Sequence, residues 1–164
     1  MNLLGKQLGE YMNVIKLPII VMVAISLIGS GWNIVTAIMG KLAGPLAIVG
    51  TVIGFIVGIG GLILGVILAV YVGYKMAKKL GNLVQCAIAG LLFGLIAGVI
   101  GWAIGLVVGV ITAIIGGGAQ GIAVAIIGVV LGTIIGLVML VVMSLVDAVL
   151  ALIGGLVGGA SKNK

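Results

Sequence analysis

Polar residues are so sparse in this chain that they read as punctuation between apolar runs. Lys6, Glu10 and Lys16 mark the first segment, Lys41 stands alone, Lys75, Lys78 and Lys79 cluster, Asp147 is isolated, and Lys162 and Lys164 close the chain. Between them lie three apolar runs, 17–40, 42–74 and 83–161. A run of about 20 apolar residues crosses a bilayer as a helix, so the last run is too long for one crossing. Its break falls at "GGGAQG", 116–121, a polar, turn-competent patch between Gln85 and Asp147.

The pattern predicts an all-α integral membrane protein with about four transmembrane helices, over roughly 18–40, 45–74, 83–115 and 120–153. These spans form one domain, 17–161, followed by a basic tail, 162–164. Pro45 suits the first turn of the second helix. The last three helices have about 30–34 residues, or roughly 45–50 Å, against a hydrocarbon core of about 30 Å. Either they tilt or protrude, or 83–161 folds more often and the protein has five or six spans. Four is the expectation, because further turns should carry polar residues.

Residues 1–16 have a different pattern. On a helix, Leu4, Leu8, Tyr11 and Ile15 share one face, while Asn2, Lys6, Asn13 and Lys16 lie largely on another. That arrangement predicts an N-terminal amphipathic helix lying in the membrane interface. Residues 17–29 also have the length of a signal-peptide core, but the expectation retained is a first span.

Within the apolar runs, glycine is periodic. Gly90, Gly94, Gly98, Gly101, Gly105 and Gly109 recur at steps of four, four, three, four and four. The same spacing runs through Gly50, Gly54, Gly58, Gly61, Gly65 and Ala69, and through Gly117, Gly121, Ala125, Gly128, Gly132 and Gly136. Such steps repeat every eleven residues, close to the period of a straight helix, so the small residues stay on one face. Lipid supplies little hydrophobic drive for helix pairing, and close backbone approach through Gly and Ala takes its place. The stripes are therefore candidate helix-packing faces. Gly60, Gly73, Gly81, Gly154, Gly155, Gly158 and Gly159 add small surface off them, the last four with Ala151 forming a further face. More small faces than one bundle needs point towards self-association.

Composition narrows the class further. The 164 residues are 64% apolar and 6% charged, against roughly 45–50% and about 25% in a soluble domain. There are 31 glycines but only 2 prolines, which excludes collagen. With no histidine and only two carboxylates, Glu10 and Asp147, the chain offers neither a nucleophile–base pair nor a metal-ligand cluster. Cys86 is the single cysteine. The glycine strings lack the strand and the following acidic residue of a dinucleotide loop. The expectation is a protein that is not an enzyme and has no cofactor.

Charge sets an expected orientation. The net charge is +6, and placing both termini with the 75–82 loop on one side leaves only Lys41 opposite. The positive-inside rule then puts both termini on the cytoplasmic or interior side. Tyr71 and Tyr74 suit that interface, and Trp32 and Trp102 the other. Lys75, Lys78 and Lys79 are expected to determine topology and meet anionic head groups; without interleaved aromatics they make nucleic acid an unfavoured partner. Asp147, placed near the same interface, is expected to make a polar contact with one of these lysines or another subunit, ion handling being the sharper alternative.

Three resemblances follow. The glycine-striped helices look like the proteolipid rings of rotary ATPases, yet "VGIGGLILGVILAV" and "VVLGTIIGLVMLVV" carry no mid-membrane carboxylate. The doubled hairpin with its basic turn, "VGYKMAKKLGN", is similar to small glycine-rich membrane proteins of archaea and to the hydrophobic coat proteins of spindle-shaped archaeal viruses. The latter resemblance implies paired apolar helices in a lipid-containing shell. The expected function is a structural membrane protein that self-associates through glycine-lined faces into an oligomeric assembly or virion-type coat, in contact with lipid. An accessory subunit of a larger membrane complex and a pore, holin or ion-conducting protein are the alternatives.

Overall fold

The computed structural model describes the backbone of residues 2–42 and 44–160, with the side chains of 2–7, 42, 44–47, 118, 119 and 160 left aside. The basic tail, 162–164, lies outside the described residues. Three helical stretches follow in order: α1 (Asn2–Leu42), α2 (Gly44–Leu80) and α3 (Leu83–Ala160). Straight, α3 would be about 117 Å long at 1.5 Å per residue. It doubles back instead. The indole of Trp102 reaches the carbonyl of Gly132, and Gly121 sits against the backbone of Ala113, so the reversal falls between 113 and 121, where the glycine-rich patch was expected to break the run.

With α3 counted as two limbs, the described residues contain four helices long and apolar enough to cross a membrane: Leu8–Lys41, Ile48–Leu80, Leu83–Gly117 and Gln120–Gly159. It is an integral membrane protein by this measure. The helices have 33 to 40 residues, roughly 50–60 Å, and so exceed a hydrocarbon core of about 30 Å.

Three boundaries differ from expectation, one of them the end of the last helix, which runs on from about 153 to Ala160. The loop expected at 75–82 contracts to two residues, because α2 continues through its lysines to Leu80. Gly81 ends it with φ 67°, a left-handed conformation that glycine adopts without a Cβ clash. The Gly81 N–H donates to the Ala77 carbonyl at 2.8 Å. Asn82 then caps α3: its side-chain oxygen accepts from the Val84 N–H at 3.0 Å. At the N-terminus, α1 runs unbroken through Lys16 and Pro18, so no backbone break separates residues 1–16 from the first span. Of the apolar face read there, Tyr11 and Ile15 are buried against protein, Leu8 is exposed, and Leu4 is outside the described side chains.

The chain forms two compact units. Unit 1 comprises Met1–Met22, Ile63–Val99 and Leu140–Lys164. It has a filled core of Tyr11, Ile15, Val72, Met76, Cys86 and Phe93, with Ile19, Met22 and Leu150 packed around it. Unit 2 comprises Val23–Leu62 and Ile100–Met139. Ala125 is its one buried apolar side chain among the described residues, and its interior is interrupted by cavities described below.

Candidate functional site

The glycine faces behave differently in the two units. In unit 1 they bring backbone onto backbone. A Cβ added at Gly73 would overlap the Ala151 carbonyl, and one at Gly154 the Val70 carbonyl. At Gly158 it would lie 2.7 Å from the Tyr74 oxygen, and at Gly155 2.9 Å from Cys86 Sγ. The C-terminal small face thus seats the second limb of α3 against α2 and the start of α3. Gly90 and Gly94 receive the same limb: Cβ atoms there would lie 2.5 Å from the Asp147 carbonyl and 2.6 Å from its Oδ2. Gly98 meets Leu140 at 3.5 Å, and Gly65 meets Met22 at 3.7 Å.

In unit 2, apart from Gly121 at the α3 reversal, the described glycines meet side chains or nothing. Gly50 lies on Thr36, Gly54 on Trp32, Gly61 on Ile25 and Gly101 on Ser26. Gly132 lies on Leu106 and Gly136 on Trp102. At Gly58, Gly105, Gly109, Gly117 and Gly128 a Cβ would have nothing within 4 Å.

The two tryptophans make one contact twice. Trp32 donates its indole N–H to the Gly50 carbonyl at 2.9 Å with its ring beside Gly54. Trp102 donates to the Gly132 carbonyl at 3.4 Å with its ring beside Gly136. The receiving segments are "GTVIG" and "GTIIG". Both indoles, expected as interface anchors, are clasps between helices.

The basic end of unit 1 is paired locally. Lys75 lies 5.2 Å from the Tyr71 ring centre and Lys78 4.4 Å from that of Tyr74, in cation–π range. Lys79 forms an ion pair with Glu10, tying α1 to α2. Asp147 does not join them. Tyr74 touches Gly158, and Asp147 lies three turns earlier on that limb, roughly 16 Å away along the axis. Its carboxylate is half-buried on the Gly94 notch, next to Ser144, whose hydroxyl donates to the Leu140 carbonyl at 2.6 Å. Among the described residues no group of three or more His, Cys, Asp or Glu could hold a metal ion.

Neither a family model, nor a curated protein, nor a solved structure matches this chain.

Two cavities lined by described residues lie within unit 2. One, of about 390 Å³, lies between the limbs of α3 and is lined by Trp102, Leu106, Val110, Ala113 and Val129 with Gly105, Gly109, Ala125 and Gly128. The other, about 410 Å³, is lined by Ser30, Asn33, Thr36 and Thr112 with Gly105 and Gly109. Sequence reading found the glycines but passed over the polar set. The signal was present: Ser26, Ser30, Asn33 and Ala37 follow the same four, three, four steps along α1.

Proposed function

We propose that this chain is a non-enzymatic structural component of a membrane that associates with copies of itself, in the manner of a membrane or virion-type coat. The observation that carries the reading is the open glycine surface of unit 2. Gly105, Gly109 and Gly128 face an apolar cavity between the α3 limbs with no neighbour at the position a Cβ would take. In lipid, helices associate where small residues let backbones approach, and a helix of a second copy fits this requirement. The lysine-rich end of unit 1, with Lys75, Lys78 and Lys79 on α2, supports placing the termini on the cytoplasmic or interior side and the head groups of anionic lipid against it.

The test is particle size in mild detergent for Gly128→Leu beside Gly128→Ala. A Cβ at Gly128 would have nothing within 4 Å, and the adjoining cavity of about 390 Å³ leaves room for a longer side chain, so both variants are expected to fold. The leucine variant is expected to shift from a high-copy particle to a monomer, whereas the alanine variant assembles. A leucine variant that assembles like the parent removes this groove as the interface.

A further inference from the structure

The 410 Å³ cavity of unit 2 is unlike the rest of the chain, because hydroxyl and amide side chains line it within apolar helices. Two of them are already engaged. Thr36 donates to the Trp32 carbonyl at 3.0 Å, and Thr112 to the Val108 and Gly109 carbonyls at 2.9 and 3.0 Å. Their hydrogens are spent on their own helices, so into the cavity they can offer only oxygen lone pairs. Ser30 and Asn33 have no partner among the described residues and bring donors as well as acceptors.

The lining is uncharged and has both donors and acceptors. An acyl chain would leave Ser30 and Asn33 without hydrogen-bond partners in a hydrocarbon surrounding, which is unfavourable. A lone cation would find no carboxylate among the lining residues. Water satisfies every group at once, and the volume holds on the order of ten molecules. Solvent is also close: Asn33 is two turns from Lys41, roughly 12 Å along α1, and a lysine at a helix end reaches the interface.

We propose that this cavity is a hydrated site within the membrane-spanning region, near the Lys41 end of α1, that takes water. It goes beyond the assembly proposed above and rests on the reading of α1 as a membrane span.

The test is thiol accessibility in intact lipid vesicles, on the full chain with Cys86→Ala as background. Ser30→Cys and Asn33→Cys are compared with Ile28→Cys, an apolar α1 position that is 66% exposed. The probe is a charged, membrane-impermeant methanethiosulfonate, which attacks thiolate and therefore reads out water at the sulfur. Both cavity positions should be modified more than about tenfold faster than Ile28→Cys, since ionisation of a thiol needs a polar surrounding. Uniformly slow modification overturns the proposal because the cavity is then dry. Uniformly fast modification overturns it differently, because α1 is then not in lipid. Slow modification with oxidative cross-linking of Asn33→Cys into dimers assigns the cavity to a second copy and also overturns it. Ser30→Cys is nearly isosteric, so a folding defect of Asn33→Cys leaves the test intact.

Discussion

A glycine in a membrane helix can be indispensable or replaceable, and the difference lies in what faces its missing Cβ. At Gly73 and Gly154 the facing atoms are helical carbonyls, of Ala151 and Val70, which cannot move without dragging a whole turn. At Gly58 nothing lies within 4 Å. Gly73→Val and Gly154→Val should therefore each destabilise unit 1 by more than the 1–3 kcal/mol typical of overpacking, seen as loss of monodisperse protein in detergent. Gly58→Val should elute and melt like the parent. If Gly73→Val folds normally, α2 and the second limb of α3 are not in backbone contact. The stripe spacing makes Gly54 and Gly94 equivalent, but only the neighbours separate a seat for Trp32 from a notch filled by Asp147.

At the scale of elements, both hairpins use a tryptophan laid across a pair of glycines four residues apart. The indole supplies apolar area and a donor, and glycine exposes the carbonyl that receives it. Trp32→Phe and Trp102→Phe keep most of the ring and remove the donor. Each should lose on the order of 0.6 kcal/mol, the average for interhelical hydrogen bonds in a membrane protein, with Trp32→Phe the larger loss because its bond is 2.9 Å against 3.4 Å. Unfolding in mixed micelles of rising denaturing-detergent fraction reads the order directly; equal stability of both variants and parent would leave the indoles as space fillers. Element boundaries were legible where local chemistry set them. Gly116, Gly117 and Gln120 marked the α3 reversal. Lys75, Lys78 and Lys79 misled, because charge suggested a loop whereas cation–π contacts with Tyr71 and Tyr74 and the Glu10 ion pair let α2 carry them helically to Leu80.

For the whole molecule, the orientation proposed above rests on the lysines. Replacing Lys75, Lys78 and Lys79 by Gln removes three of the positive charges on the terminal side, and the topology should become mixed. Protease access to a C-terminal tag in sealed vesicles measures this; an unchanged single orientation would transfer the role to Lys6, Lys16 and the tail. Membrane class, the four apolar helices and the periodic small residues are properties of the chain alone. Each follows from hydropathy, length and spacing, which are local or one-dimensional quantities. Which glycines meet backbone, which meet a tryptophan and which stay open was decided by tertiary structure. So were the seating of Asp147 away from the lysines and the gathering of Ser30, Asn33, Thr36 and Thr112 around one cavity. A face on a helix has an angle that sequence supplies, but its partner depends on crossing geometry between segments far apart in the chain.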